Sequence, residues 1–425
     1  MKKIVLILSC LCVMSLSAPL SAAKLKTDNP VRKPSVSVLM TEAQMKLIER
    51  YSEFVADEKY AEARSGFNSM LAKLNSRDAY VQAIIYQMLG HLDSTAGNYK
   101  QAAANFKKAI DLDALPNTTH FQMMLQRAQL LMIEGDHRGG LKALDEYFKV
   151  VDEIPDTAFV IKANSHAQLE EFKEVKKAIN QAISLSEDPK ENWYQLLLAA
   201  HSELSEYRQM ADVLKILIEM NPDKKEYWMQ LSSVYFTLKE DKNALAALVL
   251  AEEKGLLDKE SDYMQLFKMY SYNEVPYSAA KILEKGLKSK VVESNFDHWK
   301  QLGQVWYNAR ELDKALDAYG KASEFAKDGE IDFTRAYLYL DLENWKEAVS
   351  SIQSALQKGG LDEVKTGNAW FLLGISYASM NNYSQAREAF NKATNYKKTR
   401  NNAEQWLNHL TTLENRARRE VADNN

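Results

Sequence analysis

The side chains that could do chemistry in this chain are few in kind and poorly placed for it. Seven histidines occur, His91, His120, His137, His166, His201, His298 and His409. An imidazole can ligate a metal or move a proton, and a helical metal site needs two of them one turn apart. No two of these seven stand four residues apart, so each reads as a surface or groove-edge residue. Both cysteines, Cys10 and Cys12, fall inside an apolar N-terminal run. Acids are plentiful but stand beside lysines, as in ELDK at 311–314, the pattern of a solvated helix face. No glycine-rich phosphate loop occurs. The chain is therefore not expected to be an enzyme, and no catalytic residue, metal or cofactor is expected. The remaining chemistry is recognition.

Composition narrows the partner. The chain has 425 residues, 46% of them apolar, with only 15 glycines and 8 prolines. That balance favours long uninterrupted helices over a turn-rich sheet protein. The net charge is −4, a poor electrostatic match for nucleic acid or an anionic membrane surface.

The first residues, MKKIVLILSCLCVMSLSAPLSAAKLK, place two lysines before an apolar run from Ile4 to Leu16, followed by Ser21-Ala22-Ala23. This is the layout of a cleavable secretion signal, with cleavage expected after Ala23. The apolar run is short against the roughly 20 residues that span a bilayer, which disfavours a membrane anchor. Loss of 1–23 would remove both thiols, leaving a chain suited to an oxidising compartment. Its destination is read as a periplasm. Residues 24–40, KLKTDNPVRKPSVSVLM, lack helical periodicity and read as a flexible lead-in.

The elements that must carry recognition are set by a repeat. Trp370, Leu373, Gly374 and Tyr377 are followed by Tyr383, Ala386, Phe390 and Ala393. The same order recurs as Trp299, Leu302, Gly303, Trp306, Leu312, Ala315, Tyr319 and Ala322. It returns as Trp228, Leu231, Ser232, Tyr235, Ala244, Leu248 and Ala251, and as Tyr86, Leu89, Gly90, Tyr99, Ala102, Phe106 and Ala109. One frame position runs Ala63, Ala102, Gly140, Val175, Met210, Ala244, Ala279, Ala315, Ala348 and Ala386. A large apolar residue stands four later each time, from Phe67 to Phe390. Apolar residues at i, i+3, i+4 and i+7 put one stripe on each first helix, and small residues mark close helix approaches. Trp193, Trp228, Trp299 and Trp370 are expected in the core, with Trp345 opening a second helix. Pro276 is expected to open a second helix as well. Pro116, Pro155, Pro189 and Pro222 are expected to stop helices, and Gly255, Gly329 and Gly359–Gly360 to provide left-handed caps.

This pattern resembles the tetratricopeptide repeat. The resemblance implies an all-α fold: a right-handed α-solenoid of about ten helix-turn-helix repeats over 41–398, with a capping helix and tail in 399–425. Trp406, Leu407, Leu410 and Leu413 would form the inner face of that cap. It also implies that the first helices line a concave face that grips a segment of a partner protein. The groove positions then read Met229, Ser233 and Phe236; Met264, Lys268 and Tyr272; and Lys300, Gln304 and Tyr307. They depart from the Lys and Asn carboxylate clamp of chaperone-binding members. A methionine and aromatic groove suits an apolar or amphipathic protein segment. The whole layout, a signal followed by degenerate repeats and a short cap, is similar to periplasmic repeat proteins that accompany TonB–ExbB–ExbD energy-transducing systems. That likeness implies a scaffold in an envelope machine serving iron-chelate uptake. Coordination of outer-membrane or peptidoglycan assembly enzymes is the alternative, and the periplasmic part of a polysaccharide exporter is a further one.

Overall fold

The computed structural model describes residues 40–423, with side chains described through residue 412. The expected secretion signal and all but the last residue of the expected lead-in lie outside the described residues. Among the described residues the chain forms twenty-one α-helices and one 3-10 turn, with no strand. It divides into two compact units at Met220/Asn221.

The first unit holds α1 (Glu42–Ala56), α2 (Tyr60–Leu71), α3 (Ala79–Thr95), α4 (Tyr99–Asp111), α5 (Asn117–Ile133), α6 (His137–Phe148), α7 (Asp156–Gln168), α8 (Phe172–Leu185), α9 (Glu191–Glu203) and α10 (Tyr207–Met220). The second holds α11 (Lys225–Thr237), α12 (Asp241–Glu253), α13 (Glu260–Tyr272), α14 (Pro276–Lys288), α15 (Phe296–Asn308), α16 (Leu312–Phe325), α17 (Glu330–Asp341), α18 (Trp345–Lys358), α19 (Glu363–Ser379), α20 (Tyr383–Ala393) and α21 (Arg400–Asp423). Within each unit every odd-numbered helix but the last, α21, packs on the next as a hairpin, and each hairpin packs on its successor. This is the α-solenoid arrangement that the repeat implies.

The repeat residues hold these hairpins together. At the large apolar position, Phe67, Leu144, Ile179, Leu214, Leu248, Leu283, Ile352 and Phe390 are each 0% exposed. The small residue four before is buried in nine of ten hairpins; half-buried Met210 is the exception, and Ala211 beside it is buried instead. The glycine of the first helix answers the large residue of the second. A Cβ on Gly90, Gly303 or Gly374 would fall 2.5, 2.4 and 2.6 Å from the rings of Phe106, Tyr319 and Phe390. Where serine replaces that glycine, the Ser232 hydroxyl donates to the Ala244 carbonyl at 2.8 Å. The hydroxyl is thus satisfied inside the helix contact.

All ten hairpins close in one way that residue types did not announce. The residues Glu58, Gly97, Gly135, Glu170, Ser205, Lys239, Glu274, Arg310, Glu343 and Asn381 take positive φ. In each case the next N–H donates to the carbonyl five residues back, as in Glu240 to Tyr235 and Asn382 to Tyr377 at 2.9 and 2.8 Å. This is a Schellman closure, and at eight of the ten positions it is built on a residue other than glycine. A Cβ there is strained. Lys239→Gly is therefore expected to stabilise the second unit by about 1 kcal/mol, read as a raised unfolding midpoint. An unchanged or lowered midpoint would mean that the turn carries no strain.

Helix starts follow local chemistry. Thr41 and Gln44 cap α1 reciprocally, with Gln44 N–H to Thr41 Oγ1 at 3.2 Å and Thr41 N–H to Gln44 Oε1 at 2.8 Å. Pro276 opens α14, and Pro116 and Pro155 stand at the N-caps of α5 and α7. Gly255, Gly359 and Gly360 take the positive φ expected of a glycine cap, though Gly359 with ψ −157° is extended rather than left-handed helical, and Gly329 has φ −87°. Gly329 instead precedes α17 at a close approach: a Cβ would lie 2.1 Å from the Ala355 carbonyl oxygen, and its N–H donates to Gly359 at 2.8 Å.

At the two ends, Met40 packs against the buried cluster that α1, α2 and α3 share, so the last lead-in residue is held against the start of the fold. At the other end α21 lies on α20. Leu410 and Ala403 are buried there, with Trp406 and Leu407 partly so; the Leu413 side chain lies outside those described.

Two expected placements are corrected. Trp193 and Trp228 are buried, but Trp299 and Trp370 are only half so. Trp299 Nε1 donates outward to Ser294 Oγ at 2.8 Å, and the Lys392 ammonium covers the Trp370 ring at 4.3 Å. The histidines are likewise not all peripheral, since His120 and His201 are buried. His201 Nδ1 meets Glu206 Oε2 at 2.6 Å, and Lys176 of the preceding hairpin reaches the same carboxylate at 2.6 Å. One repeat earlier, His166 and Arg138 hold Glu171 in the same way, at 2.7 and 3.2 Å.

These clasps tie stability to acid. Lys176, then His201, hold the Glu206 carboxyl below its ordinary value of 4.5. Such a group stabilises fully above that value and loses its contribution as pH falls toward the lower folded one. Glu206→Gln should lower the melting temperature at neutral pH and remove part of its decline below pH 4.5. An unchanged acid slope would show that the clasp is not coupled to folding.

Candidate protein-binding face

The candidate face is carried by the first helices of three successive hairpins in the second unit. The inner stripe of α11 buries Tyr227, Trp228, Leu231, Ser232 and Val234. That of α13 buries Tyr263, Leu266, Phe267 and Met269, and that of α15 buries Leu302, Gly303, Val305 and Trp306. With these stripes committed to packing, the opposite sides are left to solvent. Ser233, Lys268, Lys300 and Gln304 are exposed, and Met229 and Met264 are half-buried. The three aromatics of the set stand out, with Phe236 46%, Tyr272 61% and Tyr307 37% exposed.

The structure brings two of these rings together. Phe236 and Tyr272 meet edge to face, 5.6 Å between centroids at 72°, a favourable aromatic geometry that joins α11 to α13. Tyr307 makes no ring contact among the described residues. On α15, Gln304 Oε1 accepts from the Tyr319 hydroxyl at 3.3 Å, while its Nε2 donates to Asn308 at 3.1 Å. Burial pushes the Tyr319 phenol up to about 12, so it stays a donor at physiological pH. The Lys300 ammonium lies 5.6 Å over the Phe296 ring. Ser233 donates back to the Met229 carbonyl at 3.0 Å.

Tyr272 is one residue out of register. Phe236 and Tyr307 each precede the buried alanine of their second helix by eight positions, and the matching residue of α13 is Ser271. Tyr272 reaches Phe236 from the next position along. One residue of the face was missed. Ser233, Lys268 and Gln304 stand eleven before Ala244, Ala279 and Ala315, and the same step from Ala348 gives Tyr337. Tyr337 is 42% exposed on α17 and packs edge to face on Phe333 at 4.9 Å. The repeat frame was signal enough to find it.

Among the described residues no group of three or more His, Cys, Asp or Glu side chains is placed to hold a metal ion. The same residues include no helix long and apolar enough to cross a membrane.

With the hairpin geometry in place, the class of protein follows. Residues 83–114 and 367–399, the copies in which Phe106 and Phe390 face Gly90 and Gly374, each match the tetratricopeptide repeat family. The chain thus carries tetratricopeptide repeats at these two places, set in a run of helical hairpins of the same build. No curated protein matches it. Among solved structures it is similar to a tetratricopeptide repeat protein from Parabacteroides merdae, at 13% identity over 71% of this chain and 100% of that one, with a TM-score of 0.37. It is similar to YrrB, described as a TPR protein with an unusual peptide-binding site, at 22% identity over 46% and 97%, with a TM-score of 0.32. It is also similar to the TPR2AB domain of yeast Sti1 in its pHSP90 complex, at 16% identity over 60% of this chain and 96% of that one, TM-score 0.32.

Proposed function

We propose that this chain is a periplasmic scaffold of a cell-envelope complex, capturing an apolar or amphipathic segment of an envelope protein on the first-helix face of α11, α13 and α15. The observation that carries the reading is the exposed aromatic pair, Phe236 and Tyr272, in ring contact across two hairpins. Rigid exposed rings backed by a packed stripe supply contact area at small entropic cost. Half-buried Met229 and Met264 beside them adapt to the shape of what binds. Placement in the periplasm rests on the leader Met1–Ala23, and the accessory role in TonB-dependent energy transduction and iron uptake rests on the layout of leader, repeats and cap. In this role the chain holds partners together and contributes no reaction of its own.

The test is site-specific photocrosslinking in cells. A crosslinker at Ser233 on the face should capture an envelope protein, with components of the energy-transducing system expected foremost. The same group at Lys242, exposed on the second helix α12, should not. Fractionation should recover a chain beginning at Lys24 in the periplasm. Equal capture from both positions would remove this face as the working surface. Recovery of the full-length chain in the cytoplasm would end the envelope assignment.

A further inference from the structure

Charge on the same face is distributed unlike charge on the chain as a whole. The chain carries 58 acids against 54 lysines and arginines. Yet residues 229–237, 264–272 and 300–308, the middle and last turns of α11, α13 and α15, contain no acid at all and two lysines, Lys268 and Lys300. Elsewhere in the second unit, lysines meet carboxylates. Lys225 pairs with Asp262 at 2.8 Å, Lys314 with Glu311 at 3.1 Å, Lys358 with Asp332 at 2.7 Å and Lys365 with Glu330 at 2.6 Å. Lys268 and Lys300 have no ion pair among the described residues; the one contact recorded for either ammonium is the Phe296 ring under Lys300. Two exposed cations thus share this face with exposed aromatic rings and neutral hydrogen-bonding groups, and no carboxylate among the described residues pairs with either.

We infer that the segment bound on this face is acidic: a polypeptide stretch in which side-chain carboxylates alternate with large apolar residues, the carboxylates meeting Lys268 and Lys300 and the apolar residues lying against Phe236, Tyr272 and Tyr307. This rests on the reading of the face as the working surface and adds the partner's charge. The complementarity has two parts. Apolar contact with the rings excludes water, and in the lowered dielectric a lysine–carboxylate pair gains over the same pair in bulk solvent. Absence of acids from the face also removes the repulsion that the net-negative chain would otherwise present to such a partner.

Fluorescence anisotropy with the full chain tests this. The probe is a labelled peptide of about twelve residues, enough to cross neighbouring helices, alternating Glu with Leu and Phe and amidated at its C-terminus. A second probe carries Gln at every Glu. The acidic probe should bind about tenfold more tightly than the neutral one, and should weaken as salt rises from about 50 to about 300 mM. Lys268→Ala with Lys300→Ala should reduce the acidic probe to the affinity of the neutral one. Lys242→Ala with Lys254→Ala, an exposed lysine pair on and at the end of α12, should leave it unchanged. Equal affinity for both probes, or equal loss in the control pair, would overturn the inference. So would binding of a single-stranded oligonucleotide as tight as that of the acidic peptide, or strict dependence on a free C-terminal carboxylate. If both probes bind alike and Phe236→Ala with Tyr272→Ala abolishes both, the face stands and the acidic partner falls. If neither probe binds, the inference fails together with the reading beneath it.

Discussion

Phe390→Ala is expected to cost the C-terminal end of the second unit about 3–5 kcal/mol, the range for removing a fully buried aromatic ring. Phe390 is 0% exposed. Its ring fills the space where Gly374 has no side chain, stacks on Trp406 of α21 at 5.6 Å and 17°, and meets Phe371 at 5.6 Å. A glycine cannot swing into the void, so collapse is limited to the two neighbouring rings. Each hairpin touches only its neighbours, so the loss should stay local. Amide exchange should speed up across α19, α20 and α21 while α11 and α12 keep their protection. Uniform acceleration through the whole second unit would show that its hairpins unfold as one block, and no acceleration would show that Phe390 is not the keystone of the cap.

Asp332→Ala should cost about 3 kcal/mol by a different mechanism. Asp332 is 1% exposed and occupies the frame position held by tryptophan in the copies at Trp228, Trp299 and Trp370. A tryptophan there has one N–H to satisfy, as Trp228 does on the Pro222 carbonyl at 2.8 Å, whereas a carboxylate needs several partners. Ser323 Oγ donates to it at 2.6 Å, Lys358 pairs with it at 2.7 Å and Arg335 stands at 3.5 Å. Lys358 also reaches the Ser323 carbonyl at 2.7 Å, so three helices, α16, α17 and α18, meet at one charge. Removing the anion leaves cations partly buried without compensation, and this is what makes breaking such a pair costly. Adding Lys358→Met to Asp332→Ala should restore at least about 1 kcal/mol, because the stranded charge goes with it. Additive losses in the double variant would mean that the two groups do not interact in the folded state.

These variants lie at positions that differ in how far the residue types reveal them. The second-helix series from Phe67 to Phe390 was readable because those side chains touch both their own hairpin and the next, and two constraints leave little freedom. Asp332 was not readable as a core residue, since a lone acid in a helix normally means solvent, and its partners stand 9, 3 and 26 residues away. The face lies between these extremes. Phe236 and Tyr307 keep the frame, but an exposed residue has no packing reason to do so, which is why Tyr272 slips by one and Tyr337 escaped notice. Gly329 was misjudged for a related reason. A glycine at a helix boundary permits either a left-handed backbone or a close approach, and the letter alone does not say which.

The shared Schellman closure has an evolutionary consequence. Each turn is completed by bonds reaching no more than five residues back, so it depends on nothing beyond its own helix end. Lys239 and Glu274, with φ 60° and 57°, occupy the same backbone state one copy apart. Crossing over between two such points during gene duplication would add or delete a copy without rewriting a junction. The number of hairpins is thereby free to change in whole steps while the fold of each remaining one is preserved.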